Sequence, residues 1–173
     1  MAGGGRGGIL ADTHDRVPAV EALVARLAEA HVELVVHCGD YCAPFSLGPL
    51  RRAGVPLLGV FGRNDGDRDG LRAAAGSLPA GGELFEAPHS LELSGRRVLL
   101  VHDLGEALAR SVEAHAVVVH GCSHRAEARQ RGPSLLVNPG EACGWLLGEP
   151  RAALLDLDAL RVEPVSLGAG WRC

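Results

Sequence analysis

The sequence predicts an α/β fold, and three observations carry that expectation. Apolar runs alternate with stretches of helical spacing over the first half of the chain. The second half changes to closely spaced short strands, and Asp, His, Asn and Cys gather just after the apolar runs. Taken in order, residues 8–11 (GILA), 32–36 (VELVV) and 55–61 (VPLLGVF) read as strands. Between them, 17–30 places Val17, Val20, Leu23, Val24 and Leu27 on one helical face. Asp15 or Arg16 before it and Pro18 in its first turn form a start signal. Residues 44–53 carry helical spacing as well. This β-α-β-α-β order implies parallel strands joined by right-handed crossovers. A helix is expected at 67–77. Runs at 83–86, 89–94 and 97–101, with a turn at Ser94-Gly95, then read as hairpins. A helix at about 104–114 leads to a strand at 116–120, followed by short segments near 125–130, 134–137, 152–157 and 160–166.

Hydrophobic residues make up 47% of the 173 positions but aromatics only 3%, so the core has to be built from Ala, Val and Leu. The length suits one domain, expected over 7–167, with a disordered Gly-rich leader at 1–6 and a tail at 168–173. A net charge of -4 provides no attraction toward nucleic acid or an anionic membrane, so neither is expected as a partner. No apolar run resembles a signal peptide or approaches membrane-spanning length. Five cysteines form an odd set without a CxxC pair, which points to a reducing, cytoplasmic setting rather than a disulfide framework. Cys38 and Cys42 read as small buried hydrophobes. Homo-oligomerisation is left open by the sequence.

The functional signal is where polar residues fall. Strand one ends at Asp12 and His14, strand two at His37, Gly39 and Asp40, and the third run at Gly62, Arg63, Asn64 and Asp65. The strand at 97–101 ends at His102 and Asp103, and the strand at 116–119 opens onto His120, Gly121, Cys122, Ser123 and His124. The carboxyl ends of strands in an open α/β sheet form the crevice where ligands bind. Carboxylate oxygen with imidazole nitrogen is a donor set for a divalent cation. Each fragment occurs by chance in many proteins; their combination, all at strand ends, points to a metal site.

Asp12-Thr13-His14-Asp15, Gly39-Asp40, Gly62-x-Asn64-Asp65, His102 and Gly121-Cys122-Ser123-His124 together resemble the calcineurin-like metallophosphoesterases. The likeness is greatest to their small bacterial and archaeal phosphodiesterase branch, and Val137-Asn138-Pro139-Gly140-Glu141-Ala142-Cys143-Gly144 resembles its Asn-Pro-Gly loop. It runs from about residue 8 to 166 and implies an α/β fold with a two-sheet sandwich flanked by helices. It also implies Asp12, His14, Asp40 and His124 as ligands of a first metal, with Asp40 bridging, and His102 as a ligand of a second. The implied cofactor is a divalent ion (manganese, iron, zinc or nickel), one held firmly and a second position altered. Arg63 stands where the family has Asn, and Cys122 where it has the first His of Gly-His-Thr-His. Arg has no acceptor and a permanent charge, so it cannot ligate. Cys122 as a thiolate would favour zinc or iron. Alternatively Asn64 moves in by one residue, or His120 replaces Cys122, since 120, 122 and 124 share a face if the segment is extended.

The activity this implies is phosphoester hydrolysis on a small phosphodiester or other phosphoester, with a metal-activated hydroxide as nucleophile. Arg63 would supply positive charge to the phosphoryl oxygens, with Asn64 beside it. His102 would serve as ligand, phosphate donor or general acid. Phosphomonoesters form a third substrate reading. The rival from another class is a weak or inactive metal-binding scaffold of the same fold. Asp65 and Asp103 are expected to orient neighbouring groups, His31, His89 and His115 to lie on the surface or in loops, and Trp145 to pack in the core.

Overall fold

The computed structural model describes residues 5–172. Eleven strands and three α-helices are described, in the order β1 (Arg6–Leu10), α1 (Val17–Glu29), β2 (Leu34–Cys38), β3 (Leu57–Val60), α2 (Arg68–Gly76), β4 (Gly82–Phe85), β5 (His89–Leu93), β6 (Arg96–Leu100), α3 (Ala109–Glu113), β7 (Val117–Val119), β8 (Glu127–Arg131), β9 (Ser134–Asn138), β10 (Arg151–Asp156) and β11 (Arg161–Ser166). One sheet has the order β11-β10-β1-β2-β3-β4 and the other β5-β6-β7-β9-β8. β1 through β4 are parallel, with β10 and β11 added antiparallel. In the second sheet β6, β7 and β9 are parallel, flanked by antiparallel β5 and β8.

The period-two alternation of strand side chains builds the layers. Ile9, Ala11, Val36, Cys38 and Val60 face the second sheet and meet Val98, Leu100, Val117, Val119 and Val137 there. Their neighbours Leu10, Val35 and Leu57 face the other way, onto Val20, Leu23, Val24 and Leu27 of α1 and Leu71 and Ala75 of α2. The outer face of the second sheet, Leu99, Val101, Val118 and Leu136, packs on Val112 of α3. Both sheets are therefore buried on both faces along their central strands, which is why those strands read as continuous apolar runs.

Several expectations need correction. Residues 44–52 form a 3₁₀ helix; Pro49 inside it removes the amide that an α-helix would need. The helix expected at 104–114 is two pieces, a 3₁₀ turn at Leu104–Glu106 and α3. The Asp103 carboxylate caps the first piece, accepting from Gly105 N at 2.8 Å, and extended backbone at Ala107 and Leu108 separates the two. Of the expected leader, residues 1–4 lie outside the described residues, but Gly5 is buried and Arg6 opens β1. In the tail, Trp171 lies against Arg16, and Cys173 lies outside the described residues. His115 is 4% exposed rather than superficial, hydrogen bonded to Ser90 Oγ and Ser111 O. Trp145 is 63% exposed rather than in the core. Among the described residues no helix is long and apolar enough to cross a membrane.

Candidate metal centre

Six strand ends, those of β1, β2 and β3 in one sheet and of β6, β7 and β9 in the other, deliver the polar residues to one crevice. Register makes this possible: Leu10 pairs with His37 and Cys38 with Val60, while Leu100 pairs with Val119 and Val119 with Val137. The loops beyond are tied together by Asp12 N to Gly39 O at 3.1 Å, His14 N to Asp40 O at 3.0 Å, Gly121 N to His102 O at 3.0 Å and Ala142 N to Ala11 O at 3.0 Å. Asp12, His14, Asp40, Cys122 and His124 all have φ between 39° and 65°. Left-handed backbone is uncommon outside glycine, although Asp and His tolerate it better than most. Such strain gathers where the surrounding fold dictates a side-chain direction. Two glycines allow the β2 and β3 loops to touch. A Cβ on Gly39, whose φ is +87°, would lie 2.6 Å from Gly62 N, and one on Gly62 would lie 2.3 Å from Asp40 Oδ1.

The crevice brings Asp12, Asp40 and His102 together in one group, and His14, His124 and Cys143 in another; within each, the potential ligand atoms lie within 4.8 Å of one another. His14 Nε2 lies 3.5 Å and His102 Nε2 3.4 Å from Asp40 Oδ2, and His124 Nε2 lies 3.8 Å from Asp12 Oδ1. His14 Nε2 and His102 Nε2 are buried without a hydrogen-bond partner. The His102 and His124 rings are oriented from behind. His102 Nδ1 donates to Cys38 O at 2.7 Å, and His124 Nδ1 donates to Glu141 Oε2 at 2.8 Å.

Each carboxylate is held as well. Asp12 accepts from Cys122 N at 3.1 Å, and Asp40 from Asn64 N at 2.9 Å and Asn64 Nδ2 at 2.8 Å. Burial pushes the Asp12 carboxyl up to about 6, against the pull of His124 and His102. Burial acts the same way on Asp40, but the neighbouring His102 and hydrogen bonds from Asn64 more than offset it and hold that carboxyl well below the usual range. His102 is raised to about 9, because Asp40, the Cys38 carbonyl and Asp12 outweigh the opposing effect of burial. His37 is different: burial drives it down to about 3, and it stays neutral between Thr13 Oγ1 and the Tyr41 ring as a structural residue.

The altered positions separate clearly. Arg63 points to the rim, 60% exposed, where it pairs with Asp103 and lies 3.6 Å from Glu106. Asn64, one residue on, places its amide against Asp40. Cys122 joins neither group; its backbone amide holds Asp12 while burial raises its thiol. His120 turns away to Glu127 and Asn138, because positive φ at Cys122 and His124 breaks the extended geometry that would have put 120, 122 and 124 on one face. Asp65 is 4% exposed and accepts from Asp40 N, Gly62 N and Cys42 N, so it fixes the backbone around Asp40. Asp103 orients Arg63 and Gly105 rather than His102.

Two residues at the crevice belong to the Asn-Pro-Gly loop motif but receive no site role from the sequence. Glu141, fully buried, accepts from His124, from Leu146 N at 3.0 Å and from Leu147 N at 2.5 Å. Cys143, also fully buried, lies beside His14 and His124. The available signal was their place just after the Asn138-Pro139-Gly140 turn.

Comparison with known proteins identifies the family and the fold. The family model of the calcineurin-like phosphoesterase superfamily domain matches residues 6–160. A phosphodiesterase of Methanocaldococcus jannaschii is 27% identical over 163 residues, covering 92% of this chain and 98% of that protein. The solved structure of an archaeal phosphodiesterase superposes with a TM-score of 0.87 at 25% identity, covering 94% of this chain and 99% of that one. A phosphoesterase of E. coli, YfcE, shares the fold with a TM-score of 0.65 at 18% identity, covering 94% of this chain and 100% of that one. The chain belongs to the calcineurin-like phosphoesterase superfamily.

Proposed function

We propose that this protein is a divalent-metal-dependent phosphodiesterase whose cation is held by Asp12, His14, Asp40, His102 and His124. The observation that supports this reading best is the pair of buried, unpartnered nitrogens, His14 Nε2 and His102 Nε2, each facing Asp40 Oδ2 at 3.4–3.5 Å. That separation is long for a charge-assisted hydrogen bond, typically about 2.7–2.9 Å. Two donors each ~2.0–2.2 Å from one cation, at 90–109°, lie about 2.8–3.6 Å apart. The His102 and His124 rings also have the support that metal-binding imidazoles usually have, an Nδ1–H given to a carbonyl or carboxylate. The donor set therefore fits a divalent ion, with mixed oxygen and nitrogen ligands that suit manganese, iron, zinc or nickel.

Such an ion supplies Lewis acidity toward phosphoryl oxygens and lowers the pKa of a water molecule. The chain's own part is to hold the donors. Cys38 O and Glu141 fix the tautomers of His102 and His124, leaving each Nε2 lone pair toward the crevice. Asn64 and the Cys122 amide hold Asp40 and Asp12 in place. In this reading Asn64, rather than Arg63, provides the amide of the altered half-site, because Arg63 is already neutralised by Asp103 and Glu106. The names of the archaeal relatives favour a phosphodiester over a monoester. Cys38, Cys42, Cys122 and Cys143 are all free, which supports a reducing, cytoplasmic setting.

The test is hydrolysis of bis(p-nitrophenyl) phosphate by protein stripped with chelator and then supplied with manganese, iron, zinc or nickel. Activity that returns only with metal supports the reading. A protein that binds metal yet hydrolyses no phosphoester would favour the scaffold alternative.

A further inference from the structure

Trp145, Leu146 and Leu147 are consecutive and 63%, 71% and 54% exposed. They sit on a short loop between Gly144 and Gly148, both in left-handed backbone. An exposed apolar cluster on a short loop costs solvation, and such clusters mark binding sites when they adjoin a polar centre. The loop is held firmly. Glu141 accepts from Leu146 N and Leu147 N. The Arg16 guanidinium lies over the Trp145 ring at 5.3 Å and the Trp171 ring at 5.4 Å, and Arg16 Nη1 donates to Cys143 O at 2.5 Å. One face of the Trp145 indole is thus braced. Glu141, which anchors this loop, is the same carboxylate that orients His124.

Trp145 and Leu146 form one wall of a cavity of about 490 Å³ whose other lining residues are His14, Cys42 and His124. That volume falls within the roughly 300–1,000 Å³ of small-molecule sites. Away from His14 and His124 the lining is Cys42, Trp145 and Leu146, without a carboxylate, so that end suits a neutral group. An indole favours a flat aromatic partner by stacking. A second protein is a poorer occupant: a standard interface takes about 20–30 residues a side, whereas this wall is two side chains at the mouth of the metal crevice.

We propose that Trp145 and Leu146 form a subsite for a planar aromatic group carried by the phosphoester, so that aryl or nucleobase esters are selected over alkyl ones. This rests on the phosphodiesterase reading above.

The experiment is calorimetric titration of metal-loaded protein with phenylphosphonate and with methylphosphonate, on the parent, Trp145→Ala and Leu146→Ser. The parent should bind phenylphosphonate roughly tenfold more tightly, about the effect of covering a ring face with apolar surface. Both variants should lose most of that preference while keeping parental metal content and affinity for methylphosphonate. Leu146→Ser leaves the Arg16–Trp145 contact in place, so it reports even if Trp145→Ala disturbs the loop. Equal binding of the two phosphonates by the parent overturns the subsite alone, as does a preference that survives in both variants. If metal-loaded protein binds neither phosphonate, the subsite is overturned, and the phosphodiesterase reading falls with it only if bis(p-nitrophenyl) phosphate is not hydrolysed either. A nucleoside 5′-phosphate that binds more tightly than phenylphosphonate would assign the aromatic group to a nucleobase; weaker binding would assign it to a simple aryl ester. Sedimentation velocity supplies the last arm: a dimer that Leu146→Ser dissociates would overturn the subsite in favour of a second copy of this chain.

Discussion

Glu141→Gln is the substitution that most sharply separates orientation of the metal centre from its ligation. The Glu141 carboxylate touches no substrate and, in the proposed site, no cation. Its Oε2 accepts from His124 Nδ1 at 2.8 Å and Leu146 N at 3.0 Å, and its Oε1 from Leu147 N at 2.5 Å. Those donors, with the burial cost overcome, hold the carboxyl below its ordinary range. Glutamine keeps the shape but can turn only one oxygen toward these donors. With its oxygen toward His124 and Leu146, the Leu147 amide faces an NH₂ group. One buried donor left unpaired costs about 1–3 kcal/mol of stability. His124 also loses its charged partner, and removing such a partner typically lowers metal affinity about 10–100-fold. The assay is a chelator-competition titration with zinc, paired with a thermal melt of both proteins. A folded variant whose zinc affinity stays within about twofold of the parent would refute the idea that Glu141 works through His124.

Three further outcomes are expected. His102, raised to about 9 from 6.5, stabilises the fold fully below about pH 6.5 and loses that contribution as pH rises through about 9. In chelator the melting temperature should therefore fall between pH 7 and 9.5. Metal binding needs neutral His102 and ionised Asp12, so the rise in melting temperature on adding zinc should grow from pH 6 to 9; a rise independent of pH would count against both assignments. In cobalt-substituted protein, any sulfur-to-metal charge-transfer band should disappear in Cys143→Ser and persist in Cys122→Ser, because Cys143 is the thiol grouped with His14 and His124; the reverse pattern would contradict this. Asn64→Ala should lower hydrolysis at least tenfold by releasing Asp40, whereas Arg63→Ala should change it less than threefold, since its charge is already paired at the surface; steady-state kinetics with a diaryl phosphodiester decides between them.

What the sequence makes legible is local. Asp12, His14, Asp40 and His102 announce themselves because each follows an apolar run by one to four positions, and the end of a parallel strand has only one side of the sheet to deliver them to. The layers are legible for the same reason: Ile9 and Leu10 must face opposite ways, so each strand needs cover on two faces. Long-range contacts are not legible. Glu141 and Cys143 reach the centre only because Ala142 N pairs with Ala11 O and Cys143 N with Asp12 O across the junction of the two sheets. His120 could replace Cys122 only in an extended segment; the left-handed residues Cys122 and His124 turn it instead. Trp145 carries the composition of a core residue, and only the Glu141 anchor and the Arg16 brace show why it stands in solvent. The break at Ala107–Leu108 is likewise hidden, because two residues of extended backbone interrupt an otherwise helical spacing.

The most direct measurement of the central claim is metal stoichiometry by elemental analysis of parent and Asp40→Asn protein, both purified without chelator. Asp40 stands between His14, His102 and Asn64, and the amide replacement keeps its size while removing the charge that a cation needs. The account predicts at least one divalent ion per parent chain and loss of most of it in the folded variant. Parental metal content in Asp40→Asn, with an unchanged far-ultraviolet circular dichroism spectrum, would contradict it.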